Sequence, residues 1–265
     1  MFTKKRLRLI ALRVLPPLAI FVFLILTWEN GLYHNLFNLQ IYTVPFPSKI
    51  VEEFFNGWKV FRENAYNTFY AAGVGYVLGS AIGIGLSVVM AEIHSVRRYL
   101  LPVASGFAAM PILATAPLMV LYFGLGPNSA IAVVTLMIIP STVISVFKGL
   151  TSIEPESQEL LDSLAAGRVS SLTKLKIPSA LPWIFTSLKL NVTRSLVGSG
   201  VTEFVTAQRG LGTLLTRSLE TFDTADAYAA MLLVAVLGVL WFQIIQLVER
   251  FVIPWHSSIR GGTEA

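Results

Sequence analysis

Apolar positions gather into six blocks along the chain, at residues 14–28, 64–91, 99–123, 130–147, 182–204 and 228–253, with shorter polar segments between them. The last five blocks are each near or above the length of about 20 residues that an α-helix needs to cross a bilayer. The pattern therefore predicts an all-α integral membrane protein with six transmembrane helices. The first block follows Lys4, Lys5, Arg6, Arg8 and Arg13 and ends in Trp28, Glu29 and Asn30, with no small-x-small cleavage site. With Arg13 snorkelling, its apolar character reaches back to Leu7, so an uncleaved signal anchor is expected. Residues 31–63 read as an external loop with a short amphipathic helix after Pro47. The expected organisation is an anchor and loop at 1–63 and a single core at 64–265.

Composition sharpens this. Of the 265 residues 54% are hydrophobic and 13% charged, with a mean hydropathy of +0.68, whereas soluble domains carry about 25% charged residues. The absence of cysteine removes disulfide frameworks, thiol catalysis and Cys-ligated metals. The net charge of +5 is unevenly spread. With the N-terminus inside, thirteen of the twenty Lys and Arg residues fall in cytoplasmic segments: the five before the first block, Arg97, Arg98, Lys148, Arg168, Lys174, Lys176, Arg250 and Arg260. Lys49, Lys59, Arg62, Arg209 and Arg217 fall outside, and Lys189 and Arg194 lie within a span. The positive-inside rule then puts both termini in the cytoplasm.

The spans offer packing devices and few reactive groups. Gly75, Gly79 and Gly83, flanked by Gly73 and Gly85, form a small-residue stripe where another helix can approach closely. Pro102, Pro111 and Pro117 interrupt the third block, and backbone freed in this way must be buried in protein or face a cavity, which makes Pro111 and Pro117 candidates for a translocation pathway. Lys189, Arg194 and Glu203 share the fifth block. A charge at membrane depth is expected to face a bundle interior, a wet cavity or a partner. One reading has Arg194 facing a pathway with Glu203 as its partner or gate. The plainer reading has Lys189 snorkelling to the cytoplasm and Glu203 at the outer interface, which leaves only Arg194 to explain. Gly198, Ser199 and Gly200 are superficially similar to the serine motif of rhomboid proteases, but His34, His94 and His256 lie in loops or beyond span ends, so the base is missing. No HExxH, carboxylate-rich metal cluster or GxxxxGK[ST] is present. No catalytic residue, metal or cofactor is expected in this chain.

The longest cytoplasmic segment, 148–179, is too polar to span. Its first half, with Pro155, Glu156, Glu159 and Asp162, begins like a helix whose dipole favours acids. A turn is expected near Gly167, then a short basic segment stopped by Pro178 and Pro182, giving two small helices crossing at a bend.

From Glu159 to Pro178 this segment resembles the EAA loop of ABC importer permeases, E-A-A-x3-G-x9-I-x-L-P. Glu159 takes the acidic position, Leu175 and Ile177 the aliphatic ones and Pro178 the final proline, while Leu160 and Leu161 replace the alanines and Ala165 stands in place of glycine, with Gly167 as a substitute turn. Met110 to Pro117 with Phe123 to Gly126, the stretch 178–190, the Glu203 and Phe204 pair, and Gly210, Leu211 and Gly212 are similar to permeases of the nitrate, sulfonate, taurine and bicarbonate group. The resemblance implies a type I (MetI-like) permease core at 64–265 with its coupling loop at about 150–178, working as a homodimer in a bacterial inner membrane. It further implies two copies of a cytoplasmic ATPase that bind the ATP and Mg, and an extracytoplasmic solute-binding protein delivering a small, polar, often anionic solute. An ion- or proton-coupled secondary transporter or channel is the competing expectation.

Overall fold

The computed structural model describes residues 2–206 and 209–254. Among these residues every regular element is helical: α1 (Phe2–Glu29), α2 (Leu32–Phe37), α3 (Pro47–Asn56), α4 (Trp58–Glu92), α5 (His94–Ala108), α6 (Ile112–Phe123), α7 (Pro127–Thr151), α8 (Pro155–Ser163), α9 (Arg168–Ser171), a π-helical turn at Leu172–Lys176, α10 (Ile177–Thr206), α11 (Leu211–Glu220) and α12 (Thr224–Val252). All six apolar blocks fall on this framework. Among the described residues α4, α7 and α12 are each long and apolar enough to cross a membrane, and α5 with α6 forms a fourth, broken unit. The fifth block lies in the 30-residue α10, whose Lys189, Asn191, Arg194 and Glu203 lower its apolar character, and the first in α1, apolar over Leu15–Glu29.

The chain divides into two compact units, up to Phe61 with Leu214–Met231, and Arg62–Thr213 with the residues from Leu232 onward. In the first, the expected amphipathic helix is α3, which starts on Pro47 at its first position, where a missing N–H costs nothing. The short α2 was not expected. Its His34 is buried, with Nε2 2.7 Å from the Val44 carbonyl and its ring against Phe46. Ser48 donates its N–H to Glu29, and Thr224 donates its hydroxyl to the Tyr42 carbonyl.

In the second unit α7 is the central helix, buried along most of its length. The glycine stripe explains how α4 reaches it. A Cβ on Gly75, Gly79 or Gly83 would lie 2.6, 2.8 and 2.6 Å from the Cβ atoms of Val134, Ile138 and Thr142, which recur at the same four-residue interval on α7. In lipid, where apolar association drives little, such close backbone approach is what holds helices together. Ala72, Tyr76, Val134, Ile138, Val192 and Leu196 form the core of α4, α7 and α10, with Val234, Trp241 and Ile245 of α12 packed on it. Large apolar side chains are turned outward on α1 and α12, including Phe21, Phe23, Val236 and Leu240, while Thr142, Asn191, Ser195, Ser199 and Thr202 are buried. That inversion of the soluble pattern is what a hydrocarbon solvent dictates.

One expectation is met and one corrected. The third block is interrupted as expected, and α5 and α6 meet at 103°. Pro111 supplies no N–H and sits extended at φ −70°, ψ 124°, so the helix stops before it and restarts at Ile112. Conversely, Pro178 and Pro182 stop nothing. Ser171 and Leu172 are already right-handed helical, and the π turn carries the chain into α10, with the Ile177 N–H bonded to the Leu172 carbonyl five residues back. The wider turn shifts the bonding register just ahead of Pro178, whose missing donor then falls in the first turn of α10.

Candidate functional site

Two regions of the core unit hold Arg194 and the residues of the expected coupling loop. The first is a cavity of about 340 Å³ between the α5–α6 bend, α7 and α10. The bend brings Phe107 and Met110 to its edge, α7 contributes Ser141 and Ser145, and α10 contributes Ser187, Asn191 and Arg194. Asn191 is fully buried, donating to the Thr142 hydroxyl at 2.8 Å and accepting from the Ser141 hydroxyl at 2.9 Å. These bonds tie α7 to α10 and fix the cavity floor. Arg194 lies one turn further along α10, exposed to the cavity, and among the described residues no carboxylate forms an ion pair with it. A guanidinium presents five fixed donors, so the cavity is equipped for a planar or tetrahedral oxyanion. Pro111 acts on this cavity by creating the bend; it and Pro117 are exposed and line none of it.

The three charges of α10 are placed separately. The Lys189 ammonium meets both oxygens of Glu249 on α12, at 2.8 and 3.1 Å. Glu203 forms no ion pair with Arg194 and is only 4% exposed. The two residues stand nine positions apart on one helix, about 13 Å along its axis. Glu203 instead accepts at Oε2 from the Thr68 hydroxyl and the Gly212 N–H, each at 2.9 Å, and at Oε1 from the Ser199 hydroxyl at 2.9 Å. Its carbonyl accepts from the Thr213 hydroxyl at 3.1 Å, and Thr68 accepts from the Leu211 N–H at 2.9 Å. Sequence reasoning missed Ser141, Thr142, Asn191, Thr68 and Glu249. Polar residues at mid-span were the available signal for the first three; Glu249 stands 60 residues from its partner, beyond any local pattern.

The second region is the polar segment between α7 and α10. Helix α8 carries Glu156 and Glu159 exposed, with Leu160 61% and Leu164 69% exposed beside them and Leu161 half-buried. The Asp162 side chain lies outside the described residues. The turn that ends α8 is not at Gly167, which is extended at φ −67°, ψ 160° and precedes α9. It is at Ala165, left-handed at φ 50°, with the Ala166 N–H bonded back to the Leu161 carbonyl at 3.0 Å. This is the Schellman closure usually built on glycine, made here by alanine at the position where the motif has glycine. Ser171 donates to the Gln158 side chain at 3.3 Å, joining α9 to α8. Lys176 pairs with Glu92 at 2.7 Å, tying the π turn to the end of α4, and Lys148 lies over the Trp183 ring. Leu175, Ile177 and Pro178 are half-buried where this segment enters α10, and Val169 is 75% exposed.

A short, anchored helix presenting leucines and acids outward, joined to a bundle with a polar cavity, is the arrangement the family comparison explains. Residues 75–254 match the family described as the binding-protein-dependent transport system inner membrane component. The chain belongs to this family. It is 28% identical to a formylaminopyrimidine transport permease of Halalkalibacterium halodurans, over 93% of this chain and 98% of that protein. It is 29% identical to the taurine transport system permease of Escherichia coli, over 67% of this chain and 65% of that one. In three dimensions it is similar to an inward-facing methionine ABC transporter, with a TM-score of 0.66 at 18% identity, covering 74% of this chain and 98% of that one. The fold is thus the MetI-like permease fold, and the protein is an inner-membrane transport component of the ABC permease type.

Proposed function

We propose that this chain is the membrane-spanning subunit of an ATP-driven importer, working as a homodimer with two cytoplasmic ATPases and an extracytoplasmic binding protein. The observation that carries this reading is the outward face of α8. Leu160, Leu164 and Val169 are exposed in a segment that the charge distribution places in the cytoplasm, beside Glu156 and Glu159. Burying leucines in a groove while acids meet basic residues at its rim is the helix-in-groove mode of recognition. Ser171 bonds Gln158 to join α9 to α8, Lys176 of the following π turn pairs with Glu92 of α4, and Lys148 of α7 lies over Trp183 of α10, a series of contacts by which movement imposed on α8 reaches the cavity. The residues assigned to this coupling are Glu156, Glu159, Leu160, Leu161 and Asp162, with Ala165 and Gly167 shaping the turn and Leu175, Ile177 and Pro178 joining it to α10. ATP and Mg bind the partner ATPase, and the permease does no covalent chemistry. Both termini face the cytoplasm, and the permease core runs over 64–265, preceded by the anchor and loop of 1–63.

The solute is small and polar and carries an oxyanion, of the nitrate, sulfonate or taurine kind. Arg194 supports this, because an unpaired guanidinium at membrane depth is costly until an anion occupies the cavity. The volume of about 340 Å³ lies at the small end of the range for ligand pockets, about 300–1,000 Å³. Purification of the tagged chain tests the assignment. An importer subunit brings down an ATPase whose hydrolysis rises on adding the binding protein; an ion-coupled secondary transporter brings down neither and works without ATP.

A further inference from the structure

The Glu203 side chain is held by Thr68, Ser199 and the Gly212 N–H, which together take three of the about four acceptor positions of a carboxylate. What it holds is the chain after α10. Residues 210–213 close over it so tightly that a methyl on Gly210 would run into the Glu203 carboxyl, and one on Gly212 into the Gly200 carbonyl. Leu211, between them, is 1% exposed, and its N–H is taken by Thr68. One side chain thereby joins α4, α10 and the first residues of α11. It also stands in the wall of a second cavity, about 410 Å³, which Thr206, Arg209, Asn67 and Tyr70 share with it.

We propose that Glu203 is the positioning residue of a latch: its pattern of hydrogen-bond acceptors, not its charge, pins residues 210–213 to α4 and α10 and so shapes the wall of the second cavity. Among the described residues no cation pairs with Glu203, so its three donors rather than a counter-charge satisfy it. Glutamine can satisfy the same partners. Its carbonyl oxygen takes the bonds from Thr68 and Gly212, and its amide faces the Ser199 hydroxyl, which turns to donate to the Thr68 carbonyl 3.2 Å away. Alanine removes the acceptor that the Glu203 carboxylate offers to the Gly212 N–H and the Thr68 hydroxyl. A carboxylate that relayed a proton or an ion would show the opposite ranking, because glutamine abolishes such a relay.

The chain has no cysteine, which makes a labelling test clean. Leu211→Cys is placed in the full-length protein in membranes, and its reaction with a small maleimide is timed in the Glu203, Glu203→Gln and Glu203→Ala backgrounds, with the exposed Glu220→Cys as the accessibility control. The latch predicts slow labelling with Glu203 and with Glu203→Gln, and labelling at least 10-fold faster with Glu203→Ala, with the control equal in all three. Thr68→Val, which removes a donor and the Leu211 acceptor while keeping the shape, accelerates labelling as well, and Thr68→Ser does not; this pair decides the matter if Glu203→Ala fails to accumulate. Labelling in Glu203→Ala or Thr68→Val as slow as in the parent overturns the latch. Labelling in Glu203→Gln as fast as in Glu203→Ala overturns the claim that acceptors rather than charge hold it. The role in transport rests on the importer reading and is measured separately, as the concentration of purified binding protein that half-maximally stimulates ATP hydrolysis. It rises several-fold in Gly210→Ala and stays near the parent value in Glu203→Gln. No stimulation in the parent protein would count against the importer reading while leaving the labelling result to judge the latch.

Discussion

Replacing Ala165 by glycine isolates the one left-handed non-glycine residue in the proposed coupling loop. At φ 50° the alanine Cβ crowds the backbone, a conformation that costs an L-residue roughly 1–2 kcal/mol. Glycine removes that strain but brings a more flexible unfolded chain, which costs roughly 0.5–1 kcal/mol. The difference leaves Ala165→Gly more stable locally by about 0.5–1 kcal/mol, a factor of about 2–5 in the equilibrium for opening the turn. The bond that reports this is the Ala166 N–H to the Leu161 carbonyl, 3.0 Å long and made only while residue 165 is left-handed. Amide hydrogen exchange of a peptide covering residues 161–171, in the protein reconstituted in bilayers, should slow about 2–5-fold in Ala165→Gly. It should quicken in Ala165→Val, because a β-branched residue tolerates positive φ worst. Exchange in the glycine variant that is unchanged or faster would refute the reasoning, since the turn would then not be what holds the end of α8.

Three other outcomes follow from the packing, the cavity and the charge distribution. Gly79→Ala puts a methyl 2.8 Å from the Ile138 Cβ and should cost about 1–3 kcal/mol, read as a lower thermal midpoint of the solubilised protein; Gly73→Ala, with nothing within 4 Å, should not lower it. Arg194→Leu should assemble normally yet import a labelled sulfonate or nitrate at least 10-fold more slowly at low concentration, and normal uptake would mean that the charge is only tolerated. Reporters fused after Arg98, after Lys174 and at the C-terminus should read cytoplasm, and those near Glu52 and Arg217 outside; a cytoplasmic signal near Arg217 would show the spans to be miscounted.

What could be read from the sequence divides along physical lines. Blocks of apolar residues and the Gly75, Gly79 and Gly83 stripe were legible because lipid imposes composition on whole helices and close approach imposes small residues at a fixed interval. The break at Pro111 was legible as a lost donor, although its 103° angle was not. Pro178 and Pro182 misled because a proline in sequence reads as a stop, while a π turn placed ahead of it absorbs the missing bond. Local pattern pointed to Gly167 as the turn because glycine adopts positive φ freely, yet the closure fell on Ala165, at the spacing the EAA motif prescribes. Lys189 and Glu203 were legible as charges needing partners, but the partners, Glu249 and Thr68, stand 60 and 135 residues away. Such pairings are settled by how helices pack and leave no mark within either helix.

The central claim is that α8 transmits ATP-driven motion from a separate ATPase, and the response of ATP hydrolysis to the binding protein in a Glu159→Lys, Leu160→Asp double variant tests it most directly. Both side chains are exposed on α8, so the substitutions disturb a partner surface and not the fold. If that surface is partly buried against the ATPase, reversing one charge and inserting another costs on the order of 1–3 kcal/mol, or about a 5- to 150-fold weaker association. The account predicts a permease that inserts and dimerises but either loses its ATPase on purification or keeps it with hydrolysis that no longer rises when the binding protein is added. Hydrolysis stimulated to the parental level, with the ATPase retained in parental amount, would contradict it.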